Sequence, residues 1–145
     1  MDIDRLSDEE LKDIIFKKQL EWIKLNQDNF LIFAQSVWDD FIYRKTDDPK
    51  KYGHHQIIAH AFEDIAANKE KRLIINMPPR HTKSEFASYL FPAWMIGKFP
   101  KMKIMQVSHN AELSSRFGSK VRNLMNTKEY KEIFGNVTLR EDSKA

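Results

Sequence analysis

Cysteine is absent from the 145 residues, which removes a disulfide framework and a thiolate metal site together. No apolar run approaches the roughly 20 residues of a membrane-spanning helix. The N-terminus begins Asp2-Ile3-Asp4, unlike a secretory signal, so the chain reads as cytoplasmic with no membrane contact. Internal repeats and low-complexity tracts are also missing. Charge of one sign does not dominate. The 24 Lys and Arg are interspersed with 21 Asp and Glu, leaving a net charge of +3 and a pI of about 9.0. That mild excess is compatible with nucleic acid without requiring it. Apolar residues make up 41% of the chain and recur periodically, which excludes a disordered chain and suits one domain with a modest core.

Ser7-Asp8-Glu9-Glu10 has the form of a capping box and predicts a helix to about Leu25, with Leu11, Ile14, Ile15 and Trp22 on one side. Asn26 to Asp28 reads as a break. Phe30, Phe33, Ala34, Val37, Trp38 and Phe41 then recur at helical spacing. Val37-Trp38-Asp39-Asp40 ends an apolar run in two acids, but its period is helical, so it is not read as a metal-binding strand. Tyr43 to Gly53 is a polar connection, and His54 to Ala67 is a helix with Ile58, Ala61, Phe62 and Ile65 on one face. With no cysteine or carboxylate pattern beside them, His54, His55 and His60 read as ordinary helix residues rather than metal ligands.

The organising stretch is Leu73-Ile74-Ile75-Asn76-Met77-Pro78-Pro79-Arg80-His81-Thr82-Lys83-Ser84-Glu85. It reads as a buried strand, a polar loop and a helix opened by Lys-Ser. That order builds a phosphate cradle from backbone N–H groups and a helix N-terminus. Lys83 would reach the β- and γ-phosphates, and the Ser84 hydroxyl would ligate Mg²⁺. Met77 and Thr82 stand at the two glycine positions of the general G-x-x-x-x-G-K-[ST] pattern. A β-branched residue resists the backbone conformation that the second glycine permits. The alternative reading is a strand-to-helix turn that happens to contain Lys-Ser. Pro92 should kink or end the following helix, and Gly97 marks a stop. Lys103 to Val107 reads as a second buried strand. Asn110 caps a further helix carrying Leu113, Phe117, Val121 and Leu124 inward, with Arg116, Lys120 and Arg122 on it. Strand, loop, helix and strand in that order predict a right-handed βαβ unit with parallel strands.

Lys71 to Glu85 resembles the variant Walker A region of tailed-phage terminase large subunits, the ATP-driven DNA-packaging motors. The loop in that family commonly reads Pro-Pro-Arg-His-Gly-Lys-Ser-Glu, so Thr82 is the departure. The resemblance continues through Lys103 to Asn110, Ala111 to Met125, Glu129 to Gly135 and Val137 to Leu139. Upstream, Tyr52-Gly53-His54-His55-Gln56 sits where the family has its adenine-side segment.

The resemblance implies an α/β fold: an incomplete P-loop NTPase-like parallel sheet of at least two strands, preceded by an N-terminal helical region. Residues 1–50 would be that helical region and 51–145 a partial ATPase domain. It implies ATP and Mg²⁺ as cofactors, with Gln56, Pro79, Arg80, His81, Thr82, Lys83 and Ser84 around the nucleotide. Arg80 would stabilise charge beside the γ-phosphate together with Lys83; otherwise Arg80 pairs with an acid such as Glu85. His81 would shape the loop. Partners in the complete motor would be double-stranded viral DNA, the terminase small subunit, the portal protein and further copies of the chain, in the host cytoplasm. No apolar strand ending in acids follows Leu139, so the chain is expected to lack its Walker B acid and nuclease domain and to hydrolyse ATP poorly alone. The alternative is a non-hydrolysing DNA- or partner-binding module with a vestigial phosphate loop.

Overall fold

The computed structural model describes residues 7–38, 53–135, 137 and 139. Asp39, Asp40, Phe41, the expected connection 43–52 and the tail 140–145 lie outside them. Helix α1 is Asp8–Asp28 and α2 is Phe30–Val37. Ser7 caps α1 as the sequence predicts: its hydroxyl accepts from the Glu10 N–H, and Glu10 accepts from the Ser7 N–H at 2.9 Å. The break expected at 26–28 falls later, at Asn29, whose side chain caps α2 by accepting from the Ile32 N–H. Asn26 is buried within α1. Helix α3 is His54–Ala66. Helix α4, Lys83–Glu85, runs directly into a π-helical turn, Phe86–Leu90, and then α5, Phe91–Lys98. Helix α6 is Ala111–Met125, capped by Asn110, and α7 is Lys128–Ile133, capped by Thr127.

Pro92 neither ends nor breaks the helical run 83–98. Proline removes the donor that would serve the carbonyl four residues back, that of Ser88. Here the run widens into the π turn just before Pro92, and the Gln106 side chain donates to the Ser88 carbonyl at 3.1 Å.

One apolar core joins α2 to α3, the helical run 86–98, α6 and α7. Phe30, fully buried, meets Phe62, Phe86, Phe91 and Trp94 edge-on with ring centroids 5.4–5.8 Å apart. Such pairs add about 0.5–1.5 kcal/mol each beyond area burial. Helix α5 also closes the C-terminal end of α1. Trp94 Nε1 donates to the Asn26 carbonyl and Lys98 Nζ to the Gln27 carbonyl, satisfying carbonyls that a helix end leaves open. Among the described residues, no helix is long and apolar enough to cross a membrane.

The expected parallel sheet is not formed. Among the described residues there is no strand, and 72–78 and 102–108 belong to neither helix nor sheet. The right-handed βαβ unit and the α/β class are corrected with it: the described architecture is helical. The physical reason is pairing. A strand persists only where a neighbour completes its hydrogen-bond ladder, and these two runs do not pair with each other. Nor are they buried. Ile74 is 94% exposed and Met105 87%. Ile75 and Met77 alone of the first run lean on the core.

Candidate functional site

The loop 78–85 bounds a hollow of about 210 Å³ lined by its own residues, Pro78 through Glu85. Its backbone is unusual at two positions. Arg80 has φ 64° and Thr82 has φ 61° with ψ 4°, both left-handed. That conformation costs an L-residue roughly 1–2 kcal/mol, and more for a β-branched one. Thr82 thus adopts a backbone shape that glycine would take freely.

Three contacts fix the loop internally. The Lys83 ammonium reaches back to the Met77 carbonyl at 3.3 Å, so the two ends of the loop are tied. The His81 ring donates through Nδ1 to the Pro79 carbonyl at 2.9 Å. The Thr82 carbonyl accepts from the Phe86 N–H at 2.9 Å, which starts the helical run. His81 thus bridges back across the loop to Pro79.

A fourth contact comes from α3. His55 Nε2 lies 2.7 Å from Thr82 Oγ1, while that hydroxyl donates to the His81 carbonyl at 2.6 Å. The hydroxyl has one proton to give, so His55 must donate to it. His55 is 5% exposed, with its ring 5.2 Å from that of buried Phe86. Burial pushes its imidazole down to about 4, and repulsion from His54 and His81 adds to this. It is neutral near pH 7 and carries a single N–H, placed on Nε2 by the Thr82 contact. Among the described residues, no group of three or more His, Asp or Glu converges on a metal position.

The other expected residues are distributed unevenly. Arg80, Pro79, His81 and Ser84 are exposed around the hollow, and Lys83 is half-buried. Arg80 does not pair with Glu85. That carboxylate is engaged by Lys120 of α6 at 2.8 and 2.9 Å. Gln56 stands in the first turn of α3, half-buried, and lines neither the loop hollow nor the hollow of about 430 Å³ beside it. The larger hollow is walled by Phe62, Ile65, Leu73, Ile75 and Phe91, with Lys83 and Ser84 at its border. From α3, His55 rather than Gln56 reaches the loop. Sequence reading missed it, since nothing in its local spacing separates it from His54. The available signal was indirect: Thr82 at a glycine position calls for a compensating partner.

No protein-family model, curated protein or solved structure matches the chain.

Proposed function

We propose that the loop 78–85 binds the triphosphate of Mg·ATP, as the nucleotide-binding portion of a terminase large subunit that drives viral DNA into a capsid in the host cytoplasm. The observation that carries this reading is the Lys83–Met77 contact, which curls a lysine back over a loop with two left-handed residues at the start of a helical run. A phosphate chain arriving in the hollow would meet the Lys83 ammonium, the exposed Arg80 guanidinium and the N–H groups opening the run. The Ser84 hydroxyl is exposed beside them. It fits as a Mg²⁺ ligand, because that ion takes most of its other oxygens from phosphates and water. The terminase resemblance of Lys71 to Glu85 supplies the adenine nucleotide and the DNA-packaging role.

The same geometry favours binding over turnover. Of the residues lining the hollow, Glu85 supplies the carboxylate, and Lys120 holds it. It is therefore poorly placed to activate a water. Titration of Mg·ATP into the chain and into Lys83→Ala tests the proposal. Saturable binding lost in the variant supports it. Salt-sensitive DNA binding indifferent to ATP, with no nucleotide binding, replaces it with the binding-module reading.

A further inference from the structure

We infer that His55 is a positioning residue for the phosphate loop: its Nε2–H holds the Thr82 hydroxyl and so locks Thr82 into the left-handed backbone that aims Lys83 and Ser84 at the hollow. For its effect on nucleotide, this rests on the proposed function; for the coupling of His55 to Thr82, it does not.

Four observations meet here. Thr82 has φ 61° with no glycine freedom to explain it. Its hydroxyl is used twice, accepting from His55 at 2.7 Å and donating to the His81 carbonyl at 2.6 Å. His55 is buried in the first turn of α3, its ring 5.2 Å from that of Phe86 and 3.9 Å from that of His54. Phe86 itself follows directly on α4 and is fully buried, so α3 and the helical run after the loop are held together at this point.

The chain runs His55 Nε2–H to Thr82 Oγ1–H to His81 C=O. It fixes both the side-chain rotamer of Thr82 and the peptide before it. Without the latch, a β-branched residue relaxes toward φ below zero. Relaxation at Thr82 would turn the Lys83 N–H and side chain away from the hollow, because Thr82 is the residue from which the helical run starts. Glycine in the same place needs no latch. A threonine in the loop and a buried histidine on a distant helix thus form one functional unit.

The test compares the natural chain with Thr82→Gly, Thr82→Val, His55→Phe and the double variant His55→Phe with Thr82→Gly. Mg·ATP affinity is read by calorimetry and the thermal midpoint by circular dichroism. His55→Phe keeps a ring against Phe86 but loses the donor. It is expected to weaken nucleotide binding about tenfold in the natural chain and less than twofold in the Thr82→Gly background. Thr82→Val keeps the branch and loses the hydroxyl, so it should weaken binding about tenfold relative to Thr82→Gly. Equal losses from His55→Phe in both backgrounds overturn the inference. So does a valine variant that binds as the natural chain does, and this comparison decides should His55→Phe fail to fold. If no chain binds nucleotide, the proposed function falls while the latch is still read from midpoints. A midpoint loss from His55→Phe that is larger in the natural chain than in the Thr82→Gly background upholds it, and equal losses in both overturn it.

Discussion

Lys120 of α6 donates to both carboxylate oxygens of Glu85, at 2.8 and 2.9 Å. The pair ties α6 to the first turn after the loop, and the same ammonium lies 5.3 Å from the centroid of the Tyr89 ring. Glu85 is thereby taken from Arg80, and among the described residues no carboxylate pairs with that guanidinium. The two cations should therefore separate by function. Lys120→Ala is expected to lower stability by up to about 1 kcal/mol, since both side chains are partly exposed. Arg80→Ala should leave the thermal midpoint unchanged and weaken Mg·ATP binding about tenfold, the loss of one charge-assisted contact. A stability loss from Arg80→Ala as large as that from Lys120→Ala would assign Arg80 a structural role.

The buried His55 gives the fold a pH dependence of known sign. Its imidazole titrates at about 4 in the folded chain, below the ordinary value of 6.5. The unfolded chain therefore takes up this proton first as pH falls. No penalty exists above the ordinary value, and stability declines as pH drops from about 6.5 toward 4, then levels. The full effect is on the order of 3 kcal/mol for one proton over that window. Around it stand the His54 and His81 rings, Thr82 and Phe86. Carboxylates also titrate in the lower part of the window, so the observable is a difference. His55→Gln should lose less stability than the natural chain between pH 6.5 and 4 in parallel urea melts. Identical slopes would mean that His55 is solvated and protonates normally.

The two uncovered apolar runs make a direct prediction. Ile74 is 94% exposed and Met105 87%. Ile74→Ser and Met105→Ser should each change stability by no more than about 0.5 kcal/mol, as surface substitutions do. Had either side chain been buried in a sheet, the same change would cost several kcal/mol. Chemical denaturation of the two variants distinguishes these cases.

Gly97 and Gly118 should respond to alanine in opposite directions. A Cβ on Gly97 would lie 2.5 Å from the ring of Phe134, which is buried and packed against Phe33 and Tyr130. Displacing that ring should cost about 1–3 kcal/mol. A Cβ on Gly118 meets nothing within 4 Å, inside α6. Gly118→Ala should raise stability by about 0.5–1 kcal/mol through helix propensity. Melting curves that order the two variants the other way would place α5 and α7 differently from the structure described above.

The helices were legible because their signals are local. Ser7 with Glu10, Asn110 with Leu113, and the spacing of Phe117, Val121 and Leu124 all act within a few residues. The start of a helix at Lys83 was legible for the same reason. The sheet was misread because a short apolar run states a preference and says nothing about whether a partner stands beside it. Leu73 to Met77 and Lys103 to Val107 have no ladder partner among the described residues. At Pro92 the helical run does not end; the distortion takes the form of a π turn, and the Gln106 amide that serves the freed carbonyl lies 14 residues downstream. His55 was invisible because its burial against Phe86 and its reach to Thr82 exist only once α3 is packed. Gln56, singled out in the sequence, is the next residue along α3 and lines neither hollow.

If Lys83 and the loop before it form a phosphate cradle, ligand binding must depend on the Lys83 ammonium. Calorimetric titration of Mg·ATP into the natural chain and into Lys83→Ala tests it most directly, with inorganic triphosphate as a second ligand. Lys83 makes a single long hydrogen bond to the Met77 carbonyl, 3.3 Å, and is only half-buried, so its alanine variant should lose about 1 kcal/mol and stay folded. Saturable binding of both ligands by the natural chain is expected, with a loss of at least tenfold in affinity for both in the variant. A folded natural chain that binds neither ligand, or a variant that binds both as well as the natural chain, would contradict it.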